Sequence, residues 1–180
     1  QVLDKGIIWN SLPASLQFTF LPDHQLALLL TIDSGRKKIN IEQTQQQLQK
    51  LALHMLGLNQ PTIEFEAFAA KHKDIKKLVA NQSGLRVPQA ASPFEAISWA
   101  IIGQQISLGA ATSLRRKLIQ RAGIQHSSGI YCYPQPEQIL ALTEDDLRAC
   151  SFSATKAKTL LTLANAVHTN ELPLQLWLDD

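Results

Sequence analysis

The densest group of chemistry-bearing side chains lies between Ser92 and Gly123. A polar corner, Gly103-Gln104-Gln105-Ile106-Ser107, is followed there by Arg115, Arg116, Lys117 and Arg121, with no acid between Ser107 and Gly123. Amide side chains both donate and accept hydrogen bonds, and guanidinium and ammonium groups can meet phosphates. Taken alone, Gln104 and Gln105 read as a polar turn between helices, and the basic run as a solvated helix face. A second run, Lys71, Lys73, Lys76 and Lys77, carries the same two readings, phosphate contact or solvated face.

Other chemistries find little support. Cys132 and Cys150 fit no zinc or iron–sulfur spacing and no disulfide scaffold, so they read as reduced thiols, which favours a cytoplasmic location. His24, His54, His72, His126 and His168 are scattered and read as surface or helix-end residues rather than ligands. No metal or other cofactor is expected. Net charge is only +2, hydrophobic residues make up 45% and charged residues 18%, which fits a globular chain and excludes disorder. No apolar run approaches the ~18 residues that a membrane helix needs. The sequence opens on Gln1 rather than Met and shows no signal peptide; the expectation is a piece trimmed at both ends.

The corner needs two helices to hold it. Ser92-Pro93-Phe94-Glu95 opens the first: Ser92 as N-cap, Pro93 at the first helical position, Glu95 reaching back to close a capping box. Phe94, Ile97 and Ile101 make its apolar stripe. Ser107 caps the second, which ends at Ala122-Gly123 and turns Leu108, Ala111, Leu118 and Ala122 inward. Helices are also expected over Pro136 to Leu142, in a short segment capped by Thr143, and from about Ser153 to His168, with Asp145 and Asp146 as first-turn acids.

Upstream, Ser15 to Leu21 alternates, with Leu16, Phe18 and Phe20 on one side, and predicts a half-buried strand. Pro22-Asp23-His24 is a turn, and Gln25 to Asp33, containing the apolar run Ala27 to Ile32, predicts a second, buried strand. Ile41 to Leu56 predicts an amphipathic helix with Leu48, Leu51, Ala52 and Met55 inward, and Glu64 to Leu78 a second with Phe65, Phe68, Ala69 and Ile75 as its stripe. Asn81 to Ala91 reads as the internal boundary. The domains are therefore expected at 1–83 (α+β) and 84–180 (helical).

The run from Ser92 to Ser107, above all Phe94-Glu95-Ala96-Ile97 and Trp99-Ala100-Ile101-Ile102-Gly103-Gln104-Gln105-Ile106-Ser107, resembles the alkylbase DNA glycosylases of the helix-hairpin-helix superfamily, of the DNA-3-methyladenine glycosylase II type. Gly84-Leu85-Arg86-Val87-Pro88, Tyr133-Pro134 and Lys156-Ala157-Lys158-Thr159-Leu160 support the likeness. The region before them is similar to the family's N-terminal domain, which resembles half of a TATA-binding-protein fold. The resemblance implies an α+β chain: a small antiparallel sheet with helices, then an all-α glycosylase domain, incomplete here.

A stacked base must be extruded before an enzyme can act on it, and the gap must be filled. In the family the corner does this, with the position of Gln105 as the wedge; Gln105 departs from the apolar residue that some members carry, and Ile106 can supply an apolar contact. The resemblance thus implies DNA contact by Gln104, Gln105, Ile106 and Ser107, with Arg115 and Arg116 on phosphates. The implied partner is double-stranded DNA containing alkylated bases such as 3-methyladenine, bound by a parent protein that is a monomer. Trp99 reads as core rather than pocket.

The family's hairpin, a Leu-Pro-Gly-Ile-Gly-like or Lys-Gly-Ile-Gly-like sequence followed by a catalytic Asp, has no match after residue 150. Asp179 and Asp180 read as an acidic tail. The expectation is a monofunctional glycosylase fragment, inactive alone and without a catalytic residue of its own. The alternative is a non-catalytic DNA-binding or scaffolding protein with the same fold.

Overall fold

The computed structural model describes residues 1–174 and 176. The chain divides into two compact units, Gln1–Ile39 together with Ser92–Asp180, and Asn40–Ala91. A single boundary between residues 83 and 84 does not describe this division: the sheet is grouped with the later helices, and the segment between them in sequence stands as its own unit.

Three antiparallel strands, β1 (Val2–Trp9), β2 (Leu12–Phe20) and β3 (Leu26–Ile32), form a meander in the order β1-β2-β3. Asn10 and Ser11 join the first pair at φ 48° and 64°, the left-handed pair of conformations that a two-residue hairpin requires. On the central strand Leu16 and Phe18 are fully buried, as the alternation predicts, and so is Ala14 before them, but Phe20, expected on the same side, ends the strand 44% exposed. Strand β3 corrects the expectation of full burial. It lies at the sheet edge and alternates half-buried with exposed residues, leaving Leu29 57% exposed.

The far edge of β1 pairs with Cys132 through Gly6. A Cβ at Gly6 would stand 2.3 Å from the Tyr131 carbonyl oxygen, and one at Gly123 would stand 2.5 Å from that of Cys132. Both glycines are therefore required by close backbone approach to the 131–132 segment. A little further on, Asp33 accepts from the Ser127 amide (2.8 Å) and hydroxyl (2.6 Å).

The helical part of this unit comprises α4 (Pro93–Gly103), α5 (Leu108–Ala122), α6 (Pro136–Leu140), α7 (Glu144–Ala149) and α8 (Ala154–His168). Ser92, Ser107, Thr143 and Ser153 cap their helices by accepting from first-turn amides. Phe94, Ile102, Leu118, Tyr133, Ile139, Leu147 and Leu160 are among the core residues, and Trp99 packs against them partly buried. On α5, Ala111 and Leu118 are buried as expected, but Leu108 is 74% exposed. Leu108 is the first residue of α5, beside the exposed corner.

In the other unit α1 (Ile41–Met55) buries Ala52 and Met55. The helix expected over 64–78 is two, α2 (Thr62–Ala69) and α3 (Lys73–Val79), broken where His72 turns extended. Its supposed stripe does not pack: of Phe65, Phe68, Ala69 and Ile75 only Ala69 is buried. The segment expected as a boundary is pinned instead. The Gln60 side chain pairs with both the amide and the carbonyl of Val87, and the Glu66 carboxylate accepts from Gly84 (2.6 Å) and Ser83 (2.9 Å). Among the described residues no helix is long and apolar enough to cross a membrane.

Candidate nucleic-acid interface

Helices α4 and α5 meet at the corner that the sequence singled out. Gln104 ends α4 at φ −58°, ψ 129°, and Gln105 follows in the left-handed region at φ 55°. Such a conformation costs a non-glycine residue roughly 1–2 kcal/mol. Ser107 then starts α5, its hydroxyl accepting from the Ala110 amide at 3.3 Å. Gln104, Gln105 and Ser107 are exposed, and Ile106 is 38% exposed. The corner thus presents two amide side chains beside two apolar ones, Ile106 and Leu108, on a backbone held at both ends. That combination can contact base edges and fill a gap between them.

One of those ends is held from outside. Lys156, in the first turn of α8, donates through Nζ to the Ile102 carbonyl at 2.7 Å. The last carbonyls of a helix have no amide partner of their own, and a cation there also suits the helix dipole.

The basic run resolves into different roles. The Arg115 guanidinium pairs with the Glu95 carboxylate, which also takes Lys5 of β1 at 2.5 Å and is 3% exposed. Arg115 also lies over the rings of Trp99 (5.3 Å) and Tyr133 (5.2 Å). Beneath it the Tyr133 hydroxyl donates to Ser98 at 2.8 Å; burial pushes that phenol up to about 12, against the opposing effects of Ser98 and Arg115. Glu95, expected to close a capping box with Ser92, ties the sheet to α4 and α5 through its ion pairs. Arg115, expected on phosphates, is half-buried and engaged by Glu95 and the two rings. Lys117 donates to the Ser151 hydroxyl at 2.6 Å, and Arg121 pairs with Asp146 at 2.6 Å. Asp146 also closes a capping box with Thr143. The Thr143 amide, with Arg121 and the Thr143 hydroxyl behind it, holds the Asp146 carboxyl well below the usual range. Arg116 is exposed and forms no ion pair or side-chain hydrogen bond among the described residues. Lys71, Lys73, Lys76 and Lys77 are all exposed, in the other unit.

Two further expectations need correction or placing. His126 is 2% exposed, not a surface residue, with Nε2 3.2 Å from Asp33 and Nδ1 2.8 Å from the Ser128 hydroxyl. Asp179 and Asp180 lie outside the described residues. Cys132 and Cys150 are free and buried, and burial pushes the Cys132 thiol up. Among the described residues no cluster of three or more His, Cys, Asp or Glu could hold a metal ion. A groove of about 750 Å³, lined by residues including Ile8, Phe94, Pro136, Val167 and Leu172, does not include the corner.

Residues 98–174 match the HhH-GPD superfamily base excision DNA repair protein family. The chain is 30% identical over 102 residues to DNA-3-methyladenine glycosylase 2 of Escherichia coli (strain K12), covering 56% of this chain and 36% of that protein. It is 30% identical over 107 residues to DNA-3-methyladenine glycosylase of Bacillus subtilis (strain 168), covering 57% and 35%. It therefore spans about a third of the length of these curated relatives. The 3-methyladenine DNA-glycosylase from Archaeoglobus fulgidus shares the fold at TM-score 0.72 and 24% identity, over 91% of this chain and 55% of that one.

The corner is legible in the sequence; what fixes it is not. Lys156 was legible only as part of a family likeness. The signal for more was its place in a helix first turn, where a cation opposes the dipole of its own helix.

Proposed function

We propose that this chain is the duplex-opening part of a monofunctional DNA glycosylase that removes alkylated bases such as 3-methyladenine by hydrolysis. Gln105 enters the base stack, Gln104 and Ile106 line the gap, Ser107 fixes the start of α5, and Arg116 meets a phosphate. The carrying observation is the exposed corner with Gln105 held at positive φ between two capped helices. The names of the relatives support the alkylated-base substrate. Arg115 is left out of the contact set because Glu95 engages it. The parent protein acts as a monomer in the cytoplasm, a location that the two free thiols favour.

The chain binds DNA but does not cleave the glycosidic bond alone. Its acids with defined partners serve structure: Glu95 in its ion pairs, Asp146 in its cap, Asp33 on the Ser127 loop. Two assays test this. The chain is titrated into a duplex with a tetrahydrofuran abasic analogue and into the intact duplex, expecting tighter binding to the first, because a site already unpaired costs less to open. Alkylated DNA is then assayed for free 3-methyladenine, expecting none above a no-protein control. Equal affinity for both duplexes sinks the wedge; base release sinks the division of labour.

A further inference from the structure

The wedge needs a backbone that does not yield when pushed into stacked bases. Nothing within the corner supplies this. Gln105 sits in a conformation that costs it energy, and Gln104 and Ile106 are exposed. The rigidity must come from the two helix ends. At the α5 end Ser107 provides an ordinary cap. At the α4 end the Ile102 carbonyl lies in the last turn, where no intrahelical amide can reach it because residue 106 is not helical. It accepts from Lys156, 54 residues away in sequence, at 2.7 Å.

Lys156 is badly placed for its own helix. In the first turn of α8 an ammonium faces the positive end of the dipole, and that turn carries no acid. The first turns of α1, α2, α3, α4, α6 and α7 carry at least one acid each, and that of α5, like that of α8, carries none. A residue that breaks the local rule of one element is explained when it serves another. Here the ammonium meets the negative end of α4 two residues before Gln104, and its charge strengthens the hydrogen bond. Its neighbour Lys158 is exposed and makes no such contact among the described residues.

We infer that Lys156 is a positioning residue for base extrusion: its bond to the Ile102 carbonyl holds the α4 end of the corner, so that Gln105 enters the duplex instead of folding back. This rests on the wedge reading above.

The test compares the unsubstituted chain with Lys156→Met, Lys156→Arg and Lys158→Met, the last removing an equal charge from the same helix. Hydrogen exchange without DNA reports the corner itself. The amides of residues 104–107 are expected to exchange about tenfold faster in Lys156→Met than in Lys158→Met, as loss of one charge-assisted bond implies. A duplex carrying 2-aminopurine beside a tetrahydrofuran site reports extrusion, since that base brightens on unstacking. At saturating protein Lys156→Met loses most of the brightening and Lys156→Arg regains it, while the affinity of Lys156→Met for the intact duplex stays within about twofold of Lys158→Met, as two equal charge losses imply. Equal exchange in Lys156→Met and Lys158→Met overturns the inference, and so does faster exchange with undiminished brightening. No brightening by the unsubstituted chain overturns the wedge reading instead; the exchange data then decide separately whether Lys156 holds the corner.

Discussion

Helices α4 and α5 carry two polar regions that look alike in sequence and differ in every physical respect. At the corner, Gln104, Gln105 and Ser107 are exposed, and Gln105 holds a costly backbone conformation. In the first turn of α4, Glu95 is buried between Lys5 and Arg115, and Arg115, midway along α5, lies over two aromatic rings. One region faces outward and keeps its side chains uncommitted; the other faces inward and uses its charges to join a strand to two helices. Polar type alone does not assign a role. Adjacent residues show it best: Arg115 is held, Arg116 is open.

Substitutions can break that comparison, beginning with the buried acid. Glu95→Gln leaves two half-buried cations without their shared carboxylate and is expected to destabilise the chain by about 3 kcal/mol in urea denaturation. DNA affinity, corrected for the folded fraction, stays unchanged. Arg115→Met follows at about 2 kcal/mol, because it unpairs Glu95 and removes the cation from the two rings. Neither change alters the salt dependence of DNA binding. Loss of DNA affinity at full stability in either variant would erase the distinction between the regions.

Arg116→Met sharpens the same contrast from the other side. Stability stays within about 0.5 kcal/mol, while the slope of log affinity against log salt becomes shallower by about 1. Gln105→Gly relieves the left-handed strain and is expected to stabilise the chain by about 1 kcal/mol. It also weakens discrimination in favour of the abasic-analogue duplex. A gain in stability with lost opening identifies strain kept for function; a loss in stability denies it.

The smallest effect concerns pH. Asp146, Asp33 and Glu66 are all held below their usual values when folded, chiefly by hydrogen bonds from Thr143, Ser127 and Gly84. Their stabilisation is complete above the unfolded value of about 4 and is lost as pH falls toward the folded values. Asp146→Asn flattens that acid-side loss in a thermal melt series without changing DNA binding.

Local signals were legible where one residue type has one job. Ser92, Ser107, Thr143 and Ser153 announced their helices, and the alternation of β2 was plain. Strand β1 was missed because Asp4, Lys5 and Gly6 interrupt its apolar residues. The structure gives the reason: Lys5 shares a sheet face with Ile7 and Trp9 and reaches Glu95, and Gly6 makes room for Tyr131. Both depend on partners about a hundred residues away, which no window of sequence contains. The same holds at the site. The corner was legible as a motif, but the engagement of Arg115 and the anchoring by Lys156 are long-range facts. The stripe expected from Phe65 and Phe68 failed for the converse reason, since spacing without a surface to pack against does not bury a residue.

The bond from Lys5 to Glu95 spans 90 residues, and that from Ser127 to Asp33 spans 94. At roughly 5–20 residues per second of synthesis, strand β1 waits about 5–20 seconds on the ribosome before its helical partner is made. Throughout that wait the meander carries an open edge at Gly6 and a bare apolar face, the conditions under which nascent strands pair wrongly. Lys5 near that edge is then its defence against aggregation, before its charge has its native partner. The same lysine serves first as a gatekeeper and later as a clasp.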